Sequence, residues 1–190
     1  EPALMETAAG VAEAGAHALR GGAFKPRTSP YSFGGLGHRG LELLVAARER
    51  TGLPLVSEVV EAGELDRTAE QIDVLQIGSR NMHNSSLLFQ AGAHPSGRPL
   101  LLKRGFGATV DEMLHAAEYV LLGRLAAGHQ APGLMLCERG IRSFETSTRF
   151  SLDPGVIGLL KRRTHLPVLA DPSHAAGHRA LVVPLGRAAL

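Results

Sequence analysis

The sequence predicts an α/β protein built on a parallel sheet, and three observations predict it. Short apolar runs alternate with longer segments of helical periodicity along the whole chain. The apolar runs are continuous rather than alternating, as in Leu100-Leu101-Leu102 and Leu134-Met135-Leu136, which is the pattern of parallel strands buried on both faces. Each run ends in a polar or cationic cluster.

Residues 4–15 read as a helix, rich in alanine and glutamate, with Gly15 as its stop. A strand at 17–21 ends in Arg20-Gly21-Gly22, and the density of Gly and Pro makes 23–37 a long loop. Leu41, Leu44, Val45 and Arg48 recur at three- and four-residue spacing, predicting a helix over 38–51. Strands follow at 54–59, 73–78, 99–102, 133–137 and 167–170. The helices that alternate with them span 62–71, 84–91, 108–127, 153–163 and 178–190. No linker, low-complexity segment or repeat beyond this alternation is present. Six strand–helix units leave two architectures, an open doubly wound sheet or part of a (β/α)8 barrel. No glycine-rich dinucleotide fingerprint follows any strand, which weighs against the first.

The polar clusters favour the barrel. Arg20 leads into Lys25, Arg27, Thr28 and Ser29; Glu58 closes the second strand; Arg80 and Asn81 follow the third. Lys103 and Arg104 close the fourth, Glu138, Arg139 and Arg142 follow the fifth, and Asp171, Ser173 and His174 follow the sixth. Parallel strands bring all these ends to one face, where barrel enzymes carry their chemistry. A single Lys or Arg at a strand end is as readily a solvated loop residue. The set as a whole, mostly basic and embedded between apolar and glycine residues, describes a pocket for a substrate with several phosphate or carboxylate groups. Guanidinium forks bind such oxyanions bidentately, and lysine supplies a compact point charge.

Composition excludes several other classes. Of the 190 residues, 44% are hydrophobic and 20% charged, as in ordinary globular proteins. No apolar run approaches the ~20 residues that span a bilayer, and no secretory signal pattern opens the sequence. The formal charge is only +2, with no basic tail, no tryptophan and two tyrosines, so no nucleic-acid partner is expected. The single cysteine, Cys137, permits no intrachain disulfide and fits a reducing, cytoplasmic setting.

His174, in Asp171-Pro172-Ser173-His174 directly after an apolar strand, is the candidate for metal binding or acid–base work; the plain alternative is a hydrogen-bonded loop histidine. The other eight histidines show no HExxH or similar pairing and read as surface or helix-packing residues. Cys137 ends a buried run and reads as an inert core thiol rather than a nucleophile. No nucleophile elbow or P-loop occurs.

Five motifs carry a resemblance to a known family. The run GGAFKPRTSPYSFGGLG at 21–37, LQIGSRNM at 75–82, LLKRGF at 101–106, LCERGIRSFE at 136–145 and LADPSHAAGHR at 169–179 resemble, in order and spacing, those of type Iβ 3-deoxy-D-arabino-heptulosonate 7-phosphate (DAHP) synthases. The resemblance implies a metal-dependent, aldol-type transferase on a (β/α)8 barrel. Its reaction joins phosphoenolpyruvate to erythrose 4-phosphate, releases phosphate and opens the shikimate pathway to the aromatic amino acids. It implies that Arg80, Lys103 and Arg139 hold phosphoenolpyruvate, and that Lys25 sits beside the reacting enol and handles a proton. Arg27, Thr28 and Ser29 would bind the aldose phosphate, and His174 would ligate a divalent metal such as manganese, iron or cobalt. Glu58 and Asp171 line the pocket in the family pattern without a fixed role, and a homo-oligomer is the family habit.

A related family, the 3-deoxy-D-manno-octulosonate 8-phosphate synthases, runs the same chemistry on arabinose 5-phosphate and carries an asparagine before the loop arginine. Here Pro26 precedes Arg27, which favours the four-carbon aldose. The family barrel also begins with a strand bearing a cysteine ligand and ends with an eighth strand bearing a glutamate and an aspartate ligand. None of the three has a counterpart here, so residues 1–190 are expected to be one barrel domain lacking its first and eighth strands, truncated at both ends. A competing reading from another class is a non-catalytic barrel that binds phosphorylated ligands.

Overall fold

A computed structural model describes residues 1–27 and 29–190. The apolar runs form strands close to where the sequence places them: β1 (Leu19–Arg20), β2 (Leu55–Val59), β3 (Val74–Ile77), β4 (Leu100–Lys103), β5 (Leu134–Glu138) and β6 (Val168–Ala170). The described residues make one six-stranded sheet in which every neighbouring pair is parallel and the order is that of the sequence. A doubly wound sheet reverses its strand order at a switch point, and no reversal occurs here. Right-handed crossovers between consecutive parallel strands then carry the connecting helices along one face of the sheet.

The connecting helices are α2 (His38–Thr51), α3 (Leu65–Gln71), α4 (Ser85–Ala93), α5 (Val110–Ala126) and α6 (Pro154–Arg163), while α1 (Pro2–Glu13) precedes β1, and α7 (Pro172–Ala176) and α8 (Arg179–Ala188) follow β6. None of the described helices is long and apolar enough to cross a membrane. Their starts are set by local chemistry. Thr109 and Glu112 form a capping box on α5, Asn84 accepts from Leu87 N at the start of α4, and Asp153 accepts from Val156 N ahead of Pro154 in α6. The core lies between sheet and helices and joins Leu55, Leu75, Ile77, Leu100, Leu102 and Leu136 to Leu41, Leu88, Met113 and Val120. Each such side chain, when fully buried, contributes about 1.5–3 kcal/mol.

The structure differs from expectation at the C-terminal side. All four residues of β4 are buried, as a two-sided parallel strand requires, but Leu169 in β6 is 39% exposed. Among the described residues β6 pairs with β5 alone, and a strand with one neighbour has less of its surface covered. Helix α7 falls between the strand at 167–170 and the helix at 178–190, where the sequence reading places no element. Its signal is in the sequence, because Asp171-Pro172 repeats the cap-and-proline start of α6 at Asp153-Pro154.

Two local features fix the frame that carries the strand ends. Helices α4 and α5 approach at backbone distance through paired glycines: a Cβ on Gly92 would fall on the carbonyl oxygen of Val120, and one on Gly123 on that of Phe89. Between the ends of β4 and β5 lies a buried ion pair. Arg104 Nη1 donates to Glu138 Oε2 at 2.9 Å and its Nε to the Ala108 carbonyl at 2.9 Å, while Glu138 Oε1 accepts from Gly140 N at 2.7 Å. With Glu138 fully buried and Arg104 4% exposed, the pair is satisfied on both sides and pins the loops that follow the two strands.

Four outcomes check this frame in denaturant unfolding. Gly123→Ala lowers stability by about 1–3 kcal/mol despite alanine's higher helix propensity. Gly158→Ala, in α6 with open space around the new methyl, raises it by about 0.5–1 kcal/mol. Glu138→Ala leaves Arg104 buried without its carboxylate and costs about 3–5 kcal/mol. Combining Glu138→Leu with Arg104→Met recovers most of that loss, because the uncompensated charge is gone.

Candidate active site

The parallel sheet places its polar strand ends around one cavity of about 280 Å³. Arg20 is the last residue of β1, Glu58 and Gln76 are register partners on β2 and β3, and Lys103 closes β4. Arg139 follows β5, and His174 stands in the first turn of α7 after β6. Arg20, Lys25, Arg27, Arg80, Lys103, Arg139 and Arg149 supply the cations of the lining, and Glu58 is the carboxylate among the described lining residues. A cavity so unbalanced in charge is built for an anion.

The cations are held by a few hydrogen-bonded groups. Arg20 Nε donates to Gln76 Oε1 at 2.6 Å, and Gln76 Nε2 donates to Glu58 Oε2 at 3.1 Å. Burial pushes the Glu58 carboxyl above its ordinary value, against the pull of Arg20, Lys103 and Arg80. Gly78 is needed beside it, since a Cβ there would collide with the Glu58 carboxylate. Across the cavity Lys103 Nζ pairs with Asp171 Oδ2. The same oxygen accepts from His174 Nδ1 at 2.6 Å, and Asp171 Oδ1 accepts from Ser173 Oγ and His174 N. Burial works against ionisation of Asp171, but the His174 hydrogen bond and the Lys103 ammonium outweigh it and hold the carboxyl well below the usual range.

His174 is tuned by the same partners. Its bond to Asp171 favours the imidazolium, yet burial and the Lys103 and Arg20 charges together lower its pKa. Asp171 is ionised and can only accept, so the ring proton sits on Nδ1 and Nε2 keeps its lone pair. Arg139 is 3% exposed, and burial pulls its guanidinium down to about 10, still charged at neutral pH. Its Nη1 donates to the Gly140 carbonyl at 3.3 Å, while its buried Nε has no hydrogen-bond partner among the described residues. The guanidinium lies 4.0 Å from the ring centre of Phe150 and 4.9 Å from that of Phe106.

Lys25, Arg27, Arg80, Lys103, Arg139 and His174 are thus brought to one cavity. The loop carrying the first two doubles back on itself, with Lys25 N donating to the Gly34 carbonyl and Arg27 Nε to the Phe33 carbonyl. Ser29 is exposed, its Oγ accepts from Tyr31 N, and it lies outside the cavity lining. Thr28 falls outside the described residues. Arg104 and Glu138 turn to the structural ion pair instead of the cavity. Sequence reasoning gave no role to Gln76, Phe106, Arg149 and Phe150. For Gln76 a signal existed: it is an amide inside the apolar run Val74-Leu75-Gln76-Ile77, and a buried polar side chain in a strand needs a partner. The phenylalanines and Arg149 are drawn in by tertiary contact and have no local signature.

Among the described residues no group of three or more His, Cys, Asp or Glu side chains converges to hold a metal ion. Burial pushes the Cys137 thiol up to about 12, which keeps it protonated and matches the inert core thiol expected. Taken alone, the residues of this chain therefore do not fit a metal centre, and His174 Nε2 is the donor they offer.

Comparison with known proteins identifies the family and the fold. The family model described as the DAHP synthetase I family matches residues 1–190. The phospho-2-dehydro-3-deoxyheptonate aldolase of Thermotoga maritima is 48% identical over 187 residues, covering 98% of this chain and 53% of that protein. A 2-dehydro-3-deoxyphosphooctonate aldolase of Rhodopseudomonas palustris is 31% identical over 176 residues, covering 86% of this chain and 58% of that protein. The crystal structure of the Thermotoga maritima DAHP synthase superposes with a TM-score of 0.87 at 48% identity, over 97% of this chain and 52% of that one. The chain thus spans about half the length of the Thermotoga protein it matches. Matched along its whole length by the family model, the chain belongs to the DAHP synthetase I family.

Proposed function

We propose that the protein carrying this chain condenses phosphoenolpyruvate with erythrose 4-phosphate and water to give DAHP and inorganic phosphate, the opening step of the shikimate pathway. The observation that carries the reading is Arg139, a buried guanidinium whose Nε has no partner among the described residues, beside a cavity that Arg80 and Lys103 also line. A desolvated, preorganised cation set binds a dianion more strongly than exposed lysines would. The six in-order strands are read as part of a (β/α)8 barrel of the type Iβ class, in an enzyme that assembles as a homo-oligomer.

In this reading Arg80, Lys103 and Arg139 grip the phosphate and carboxylate of phosphoenolpyruvate. Its methylene carbon attacks the aldehyde carbon of the aldose, forming the new C–C bond. Water adds at the carbon that bears the phosphate, and phosphate leaves with its bridging oxygen. Lys25, beside the reacting enol, handles a proton for the developing alkoxide. Arg27, with Thr28 and Ser29 on the same loop, takes the aldose phosphate. His174, oriented through Nδ1 by Asp171, would offer Nε2 as one ligand to a divalent metal such as manganese, iron or cobalt, whose other ligands are not found among the described residues; such a metal would supply Lewis-acid polarisation of the aldehyde.

Two other readings meet the same test. An enzyme for arabinose 5-phosphate is supported by the 31% identity to the phosphooctonate aldolase, but the 48% identity to the heptonate aldolase and Pro26 ahead of Arg27 favour the four-carbon aldose. A non-catalytic binder of phosphorylated ligands is supported by the absence of a converging ligand group among the described residues.

The purified protein, supplied with manganese, releases phosphate from phosphoenolpyruvate with erythrose 4-phosphate and not with arabinose 5-phosphate. Arg80→Ala and Lys103→Ala each raise the KM for phosphoenolpyruvate about ten- to a hundredfold, the range expected for a lost charged hydrogen bond. Turnover with the pentose alone supports the second enzyme, binding without turnover supports the binder, and unchanged kinetics in both variants sinks the assignment of the phosphoenolpyruvate site.

A further inference from the structure

The cations of the cavity are arranged around two phenylalanines from different loops. Phe106 follows β4 and Phe150 precedes α6; their rings stack with centres 5.2 Å apart and planes 11° from parallel. Arg80, Arg139 and Arg142 lie 5.1, 4.9 and 5.4 Å from the centre of Phe106, and Arg139 and Arg149 lie 4.0 and 5.5 Å from that of Phe150. Phe106 lines the cavity, whereas Phe150 is buried behind it and is not among the lining residues.

Phe150 is fixed from several directions. Its N–H donates to the Ala175 carbonyl at 2.9 Å, and Arg149 N donates to the Ala176 carbonyl, so this loop is tied to the helix that bears His174. Ile141 and Ser151 close the loop by mutual backbone hydrogen bonds. Arg139 itself makes one long hydrogen bond, through Nη1, and its Nε makes none among the described residues. Beside that hydrogen bond, the ring face of Phe150, 4.0 Å from the guanidinium carbon, is the nearest aromatic contact on this group, and the face of an aromatic ring attracts a cation without occupying its N–H donors.

We propose that Phe150 is a positioning residue for anion binding: its ring holds the Arg139 guanidinium flat against the Phe106–Phe150 stack with the hydrogen-bonding edge left for the substrate anion. Hydrogen bonds to protein carboxylates would fix Arg139 equally well but would use up the donors the anion needs. The stack fixes the plane and spares the edge. This rests on the reading of the cavity as a phosphoenolpyruvate site.

The test is calorimetric binding of phosphoenolpyruvate, and of inorganic phosphate as a second probe, to the purified protein and to Phe150→Leu and Phe150→Tyr. Leucine keeps an apolar side chain but removes the ring, and tyrosine keeps the ring. Phe150→Leu weakens binding about tenfold, as loss of a desolvated cation–π contact predicts, and Phe150→Tyr stays within about threefold of the parent. Undiminished binding by Phe150→Leu overturns the inference while leaving the site intact. Equal losses in both variants also overturn it, since packing alone would then explain them. A parent protein that binds neither anion overturns the phosphoenolpyruvate reading, and the inference with it.

Discussion

Gathering Arg20, Arg80, Lys103 and Arg139 at the ends of neighbouring strands sets like charges together in a medium that screens them poorly; Glu58 faces Arg20, Arg80 and Lys103, and Asp171 pairs with Lys103 and offsets Arg139. Its two oxygens accept from Lys103, Ser173, the His174 backbone and the His174 ring. Each bond does something different for the site. The first fixes the lysine against the floor of the cavity, the backbone bond starts α7, and the ring bond selects the tautomer that leaves Nε2 with its lone pair. The ionised carboxylate thus holds Lys103 and orients the imidazole, while burial and the Lys103 and Arg20 charges lower the pKa of His174.

The remaining charges are sorted by which side of the sheet they serve. Lys103 and Arg104 are adjacent in sequence, and side chains on a strand alternate between faces. Lys103 accordingly meets Asp171 at the cavity, while Arg104 meets Glu138 in the buried pair behind it. Burying Arg104 with a full set of acceptors gives rigidity to the loops after β4 and β5, and those loops carry Phe106 and Arg139. The cationic cavity is therefore held by an ion pair that does not line it.

Much of this was legible in the sequence for simple reasons. Continuous apolar runs mark strands covered on both faces, and six of them separated by helical periodicity leave little choice but a parallel sheet. Strand ends on a parallel sheet share a face, so Arg80, Lys103, Arg139 and His174 could be placed together before any coordinates. What was not legible depends on long-range contact. That Arg104 would turn away from its neighbour's site, that Phe150 would slide under Arg139, and that Ser29 would lie outside the cavity lining are settled by packing between distant segments. Helix α7 was missed although its Asp-Pro start was present, because five residues are too few to show a helical period. The exposure of β6 was missed because an apolar run does not reveal how many neighbours its strand will have.

On the proposed reading, the cationic cavity grips phosphoenolpyruvate through Arg80, Lys103 and Arg139. A crystal structure of the protein with phosphoenolpyruvate bound tests it most directly. The expected result is the phosphate and carboxylate within hydrogen-bonding distance of all three side chains, with Arg139 Nε engaged by the ligand and its guanidinium still over the Phe150 ring. Ligand bound elsewhere, or in the cavity with Arg139 Nε unengaged, would contradict it.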